Sequence, residues 1–198
     1  MSFRHLIAAA AVAGIALAAA ASAAMRVSVA APTSASVYNV ESKWTTQDGS
    51  SVALASLGGK PVVAAMGYTT CRNICPAVVA DMMWIEKHLP PGTGNAVRFA
   101  FFSFDPEVDT PERLTLYAQG HGLDLARWTL LSADDGATRE LAAALDVSYR
   151  PNDQGGFDHA AVISLLDENG EIVFQQRGAE ASSEELLANL NKLLLKGG

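Results

Sequence analysis

The chain has 198 residues, 49% of them hydrophobic, which is enough for one domain with a sizeable core and an extension. Its formal net charge is −7, from 14 basic and 21 acidic side chains. No basic stripe is present that could neutralise phosphates, so this balance argues against a nucleic-acid-binding protein.

The amino terminus has the layout of a bacterial secretory signal peptide. Arg4 gives a weak positive region, residues 6–20 are apolar, and residues 21–23 (ASA) have the small-residue order of a cleavage site. An uncleaved membrane anchor is the alternative, because residues 6–25 carry no charge and are just long enough to span a bilayer. The alanine-rich run favours cleavage, and no cysteine follows it directly that could carry a lipid.

These features predict three segments. Residues 1–23 would be the signal peptide, and residues 24–36, which are small and polar without periodicity, a flexible linker. Residues 37–198 would form the domain. We therefore expect a periplasmic protein or, alternatively, one anchored in the inner membrane and facing the periplasm, with membrane contact only through an uncleaved leader or a partner.

Strands and helices alternate through the predicted domain. Asp48-Gly49 predicts the turn of a short N-terminal hairpin, and Asn169-Gly170 predicts a second hairpin. Apolar runs predict strands at residues 38–46, 51–54, 60–68, 97–104, 128–131, 160–166 and 171–176. Helical spacing and start signals predict helices at residues 76–88, 110–120, 137–145 and 182–195.

This order predicts an α/β fold with a central mixed sheet flanked by helices. The alternating part would be parallel, and the final hairpin would add antiparallel strands. The order resembles the thioredoxin fold with an N-terminal hairpin and an inserted helix and strand.

The chain has only two cysteines, Cys71 and Cys75, in TTCRNICP after the strand predicted at residues 60–68. Sites in open α/β sheets gather at this end of the strands. Pro76 predicts that Cys75 is the N-cap of the following helix, whose positive end would stabilise the Cys75 thiolate. A disulfide between cysteines so close in sequence removes little unfolded-state entropy, which argues against a structural staple. A redox pair and a pair of metal ligands both remain open.

His159 differs from the other histidines in its position. It lies in GGFDHAAVISLL, after a glycine-bearing loop and just before a buried strand, although a satisfied surface histidine would fit the same place. Its neighbour Asp158 could orient the ring or be a solvated loop charge. His88 and His121 lie at predicted helix ends, where a cation is stabilised, and are interpreted as structural.

Three blocks of the sequence, in order, carry a resemblance to a known family. GYTTCRNICP is similar to a GYTxCxxxCP signature, and SFDPEVDTPERLTLYA to an S-x-DP-x-x-DTP-x-x-L-x-x-Y stretch. FDHAAVISLLDENGEI is similar to a segment in which a histidine precedes the penultimate strand. Over residues 37–195 the chain thus resembles the Sco/SenC proteins, exported thioredoxin-fold copper chaperones that help to assemble cytochrome c oxidase.

The resemblance implies a site and a function. Cys71 and Cys75 would be the thiolate ligands of one copper ion and His159 its imidazole ligand, a set that suits Cu(I) or Cu(II). The expected partners are the copper-site subunit of cytochrome c oxidase, whose dinuclear centre would receive the ion, and other periplasmic copper carriers. A periplasmic thiol–disulfide oxidoreductase is the alternative, with Cys71 as the more accessible sulfur. A peroxiredoxin-like peroxidase would share the fold but lacks a motif here.

The loop departs from the family pattern between the cysteines. Many members have a proline and an acidic residue there, whereas this chain has Arg72-Asn73-Ile74. A positive charge beside the site should lower its affinity for a cation, Cu(II) above all.

Two further groups of residues have simpler interpretations than metal binding. Asp105, Asp109 and Glu112 are expected to end a strand and cap a helix rather than hold a hard metal ion. Met82 is expected to pack in the core rather than to act as a thioether ligand.

Overall fold

The computed structural model describes residues 33–178 and 181–196. The predicted signal peptide and linker residues 24–32 lie outside this range. The linker residue Ser36 is described, is buried, and donates its hydroxyl to the carbonyl of Asn169. Among the described residues, no helix is both long and apolar enough to cross a bilayer.

The described residues form nine strands and four helices, together with three short 3-10 helices. The strands are β1 (Lys43–Thr46), β2 (Ser51–Ala53), β3 (Val62–Gly67), β4 (Arg98–Ser103), β5 (Trp128–Ser132), β6 (Tyr149–Pro151), β7 (Phe157–His159), β8 (Val162–Leu166) and β9 (Ile172–Arg177). The helices are α1 (Cys75–Lys87), α2 (Pro111–His121), α3 (Asp135–Ala144) and α4 (Glu184–Lys196).

Seven strands make one mixed sheet in the order β2-β1-β5-β4-β3-β8-β9. The central strands β3, β4 and β5 are parallel, while β1, β2, β8 and β9 pair antiparallel with their neighbours. Both predicted hairpins are present, as β1–β2 and β8–β9. This arrangement confirms the central mixed sheet and the N-terminal hairpin predicted from the sequence.

Both faces of the sheet are covered, which explains why the central strands are apolar without alternation. Successive residues of β3 belong to the hydrophobic clusters on opposite faces of the sheet. Val63 packs with α1, α2 and α4, and Ala64 packs with α3 and the N-terminal segment. The loops that follow β3 and β4 therefore extend from strands that are buried on both faces.

The hairpin of β6 and β7 was not predicted. These two three-residue strands form a separate small sheet, in which Tyr149 pairs with His159 and Pro151 with Phe157. His159 is thus the last residue of a strand, not part of a simple loop before β8.

Local sequence explains where the helices of the site begin. Thr110 caps α2 by accepting from the backbone N–H of Arg113, and Pro111 occupies the first turn. Helix α1 begins one residue earlier than predicted: Ile74 is its N-cap and Cys75 its first residue. The prediction that Cys75 is the N-cap was therefore wrong.

Candidate metal centre

Three separate elements bring two sulfurs and one imidazole together. The loop after β3 carries Cys71, the first turn of α1 carries Cys75, and the end of β7 carries His159. Their ligand atoms all lie within 4.8 Å of one another. His159 Nε2 is 3.1 Å from the Cys75 Sγ and 3.9 Å from the Cys71 Sγ. Within the described part of the chain, no other group of three or more histidine, cysteine or acidic side chains clusters in this way.

The two thiols differ in exposure. Cys71 is half-buried, whereas Cys75 is only 1% exposed and belongs to the hydrophobic core. The prediction that Cys71 is the more accessible sulfur is confirmed. An incoming reagent or ligand meets Cys71 first.

The two thiols also differ in acidity. Burial would raise the pKa of Cys71, but hydrogen bonds from the backbone N–H of Cys75, from His159 and from the backbone of Asn73 outweigh it and lower the pKa to about 6. The N–H of Cys75 lies 3.4 Å from the Cys71 Sγ. Burial raises the pKa of Cys75 well above its usual value, and the nearby Cys71 adds to that rise.

This assignment reverses the one made from the sequence. The helix N-terminus was expected to stabilise the Cys75 thiolate. Cys75 is the first helical residue, and its N–H, which has no partner within the helix, points towards the Cys71 Sγ. The sulfur that the helix N-terminus stabilises is therefore that of Cys71.

Gly67 allows Cys75 to reach this position. A Cβ at residue 67 would lie 2.9 Å from the Cys75 Sγ and 2.9 Å from the ring of Phe101. The last residue of β3 therefore has no room for a side chain while Cys75 keeps its place.

A backbone carbonyl orients the ring of His159. Its Nδ1 lies 3.0 Å from the carbonyl oxygen of Ala160. Since a carbonyl only accepts, Nδ1 donates to it, and Nε2 is the ring nitrogen that faces the two sulfurs. The rings of Phe104 and Tyr68, at 5.1 and 6.0 Å, pack against the imidazole.

Asp158 does not orient the His159 ring, contrary to one of the two roles considered for it. Its carboxylate instead accepts from Arg150, at 3.2 Å, and from Asn152, at 3.2 Å. Both members of the Arg150–Asp158 pair are largely exposed. Alternation along β7 turns Asp158 away from the site when His159 faces it.

Asp109 has a role that sequence reasoning missed. It is fully buried and accepts hydrogen bonds from the hydroxyls of Thr69 and Ser103 and, at 3.0 Å, from the backbone N–H of Thr69. It thus ties the cysteine loop to the end of β4, and the cap of α2 is Thr110 instead. Its place in the second family-like block was the only sequence signal for it.

The other residues considered from the sequence lie where expected or outside the site. Met82 is fully buried in the core, which confirms the packing interpretation. His88 and His121 each contact the carbonyl four residues earlier on their own helices, through Nδ1, at 2.8 and 2.9 Å. Arg72 is exposed and makes no hydrogen bond or ion pair with any described residue.

The donor set fits a soft metal ion. Two thiolate sulfurs and a neutral imidazole nitrogen are ligands typical of Cu(I), Cu(II) and zinc, whereas magnesium and calcium prefer oxygen. Cys71, Cys75 and His159 can therefore bind such an ion, and the half-buried Cys71 leaves one side of the group accessible for ligand exchange.

Comparison with known proteins gives consistent matches over this domain. A family model described as SCO1/SenC matches residues 31–195. The SCO1 protein homolog of Bacillus subtilis is 29% identical over 147 residues, which cover 72% of this chain and 76% of that protein.

Two solved structures share the architecture. A SCO1/SenC family lipoprotein from Bacillus anthracis has a TM-score of 0.70 and 26% identity, over 77% of this chain and 92% of that one. Bradyrhizobium japonicum ScoI, solved with copper bound, has a TM-score of 0.65 and 28% identity, over 77% and 96%. These likenesses confirm the predicted thioredoxin-like fold.

Proposed function

The chain belongs to the SCO1/SenC family, and from that premise we propose that it is an exported copper chaperone. It binds one copper ion through Cys71, Cys75 and His159 and delivers it to the dinuclear copper centre of cytochrome c oxidase. The observation that carries the proposal is the convergence of two sulfurs and the Nε2 of one imidazole within 4.8 Å. The copper in the B. japonicum relative supports this choice of metal.

Binding uses the unequal acidity of the two thiols. Cys71, with a pKa of about 6, is already a thiolate at neutral pH and is the sulfur that meets the incoming ion. Cys75 is still protonated and must lose its proton as it binds. The buried second sulfur and the imidazole then hold the ion in place.

Delivery requires an accessible ligand. A partner's thiolate or imidazole can reach Cys71 before Cys75, because Cys75 lies in the core. The leader-like residues 1–23 and the lipoprotein nature of the B. anthracis relative support a protein that works outside the cytoplasm. The proposed partners are the copper-site subunit of the oxidase and other periplasmic copper carriers.

A copper titration of the reduced protein tests the binding step. One tight equivalent of Cu(I), measured by competition with a chelator, and one of Cu(II), with thiolate-to-copper absorption, are expected. His159→Ala should weaken Cu(II) binding clearly, whereas His88→Ala, which alters a helix-end histidine outside the site, should not. Absence of stoichiometric copper in both oxidation states would reject the proposal.

A thiol–disulfide oxidoreductase is the second candidate, and the asymmetry of the cysteines favours it specifically. The accessible Cys71 thiolate would attack a disulfide of the client, and Cys75 would then displace the client's sulfur, which leaves the client reduced and Cys71–Cys75 oxidised. The raised pKa of Cys75 slows this second step, because the resolving sulfur must be a thiolate. For that reason we rank copper delivery first.

The same histidine variant distinguishes the two functions. Copper binding needs His159, whereas disulfide exchange needs only the two sulfurs. If the parent binds no copper, and the His159→Ala protein still reduces a disulfide substrate at a pH where Cys71 is ionised in both proteins, the oxidoreductase becomes the supported function.

A further inference from the structure

The three proposed ligands come from two parts of the fold that no shared backbone ladder connects. Cys71 and Cys75 extend from β3 of the main sheet, whereas His159 lies in the separate two-stranded sheet of β6 and β7. Two residues, Ala160 and Ala161, join β7 to β8, the neighbour of β3, and a side-chain contact from the cysteine segment would fix the hairpin further.

Tyr68 makes such a contact. Its phenol oxygen lies 3.2 Å from both the N–H and the carbonyl of Phe157, so it accepts from one and donates to the other. These are the backbone groups of the residue two positions before His159. The hydroxyl thereby takes the place of a neighbouring strand on one edge of β7.

The same residue is bound to the cysteine loop. The carbonyl of Tyr68 accepts from the backbone N–H of Cys71 at 3.2 Å. Its ring is 7% exposed and meets the rings of Phe157 and His159 edge-on, with centroids 5.4 and 6.0 Å apart. Tyr68 therefore touches both parts of the site at once.

We propose that Tyr68 is a positioning residue for the copper site, whose hydroxyl holds the β7 strand so that His159 Nε2 stays within reach of the two sulfurs. This inference rests on the proposed copper function. It assigns the phenol a role through Phe157, not as a copper ligand.

Removing the hydroxyl alone isolates this role. Tyr68→Phe keeps the ring and its packing but leaves the Phe157 N–H and carbonyl without their partner. Residues that orient a metal ligand typically contribute about 10–100-fold to metal affinity, so we expect Cu(II) affinity to fall about tenfold. Cu(I) affinity should fall much less, because both thiolates come from the cysteine segment on the other side of the contact.

A second variant displaces the hydroxyl without deleting it. A Cβ at Gly156 would lie 2.7 Å from the Tyr68 Oη. Gly156→Ala should therefore change the Cu(II) site in the same direction as Tyr68→Phe. The matched control is Tyr149→Phe, which removes a hydroxyl from a tyrosine that stacks on Phe104 and that has no hydroxyl hydrogen bond among the described residues.

The experiment measures each full-length protein in two states. In the copper-free state, amide hydrogen exchange at Phe157 should accelerate in Tyr68→Phe and Gly156→Ala but not in Tyr149→Phe. In the Cu(II) state, the EPR spectra of Tyr68→Phe and Gly156→Ala should lose part of the nitrogen coupling. Their Cu(II) affinity should fall about tenfold.

The possible outcomes separate this inference from the proposed function. A parent that binds copper through His159, with Tyr68→Phe indistinguishable from Tyr149→Phe in exchange, EPR and affinity, would overturn the role of Tyr68 alone. A parent that binds no copper would overturn the proposed function and this inference with it. An equal loss of Cu(I) and Cu(II) affinity would also overturn it, because the damage would then not be confined to the His159 side.

Discussion

The pH dependence of Cys71 alkylation tests the electrostatics of the site. In a Cys75→Ser protein only Cys71 can react, and the backbone N–H of residue 75 that stabilises it is retained. With a pKa of about 6, Cys71 should be about 90% thiolate at pH 7, against about 3% for a free thiol of pKa about 8.5. The rate of alkylation should therefore reach half its maximum near pH 6 and level off above pH 7.

The ratio of the Cys71 alkylation rate to that of a free thiol depends on pH. At pH 5 the thiolate fraction exceeds that of a free thiol by about 300-fold, while the weaker nucleophilicity of a low-pKa thiolate costs about 13-fold. Cys71 should thus react about 20-fold faster than a free thiol at pH 5, by the same relation. At pH 9, where both thiols are mostly ionised, Cys71 should react more slowly than a free thiol, because its thiolate is the weaker nucleophile.

Iodoacetamide labelling of the reduced, copper-free protein, followed by peptide mass spectrometry, measures these rates. His159→Ala in the same background should shift the midpoint to higher pH, because one of the hydrogen bonds that lower the pKa is lost. A midpoint near pH 8.5, or a parent protein in which Cys75 is alkylated before Cys71, would show that the site does not stabilise the Cys71 thiolate.

Three further predictions concern the residues around the ligands. Gly67→Ala should lower the free energy of unfolding in urea by about 1–3 kcal/mol, because its Cβ would overlap the Cys75 sulfur. Asp109→Asn should cost about 1–3 kcal/mol in the same assay, because one carboxylate oxygen becomes an amide nitrogen, which cannot accept from the Thr69 or Ser103 donors that it faces. Asp158→Ala should leave copper affinity unchanged in a chelator competition, because its carboxylate bonds Arg150 and not the ring of His159.

Controls in the same chain make these results specific. Gly120→Ala in α2 has no atom within 4 Å of its Cβ and should stabilise the protein by about 0.5–1 kcal/mol. The exposed Glu107→Gln should leave stability unchanged. If Gly67→Ala or Asp109→Asn left the free energy of unfolding unchanged, the packing around Cys75 and Thr69 would be contradicted. If Asp158→Ala lost copper binding, Asp158 would have to orient the His159 ring after all.

The parts of the fold that were predicted correctly depend on local or periodic signals. Asp48-Gly49 and Asn169-Gly170 specify their turns through backbone preferences, and both hairpins formed. The continuous apolar stretch at residues 60–68 indicated burial on both faces, which the structure shows for β3. The β6–β7 hairpin was missed because three-residue strands are too short for a period to be visible.

The sequence predicted the three side chains that lie together in the structure, but not their electrostatics. The residues alone left His159 undecided, and only the family resemblance implied it as a ligand. The sequence assigned the stabilised thiolate to Cys75, whereas burial raises the pKa of Cys75 and the free N–H of residue 75 stabilises Cys71. The contacts of Asp109 and Tyr68 join segments 40 and 89 residues apart, so no spacing in the sequence could reveal them.

The most direct test of the central claim is X-ray absorption at the copper edge of the loaded protein, beside its His159→Ala variant. We expect two sulfur ligands and one imidazole nitrogen per copper in the parent, with the protein-derived nitrogen lost in the variant and the sulfurs kept. A parent spectrum without sulfur ligands, or one that is unchanged by the loss of His159, would contradict that claim.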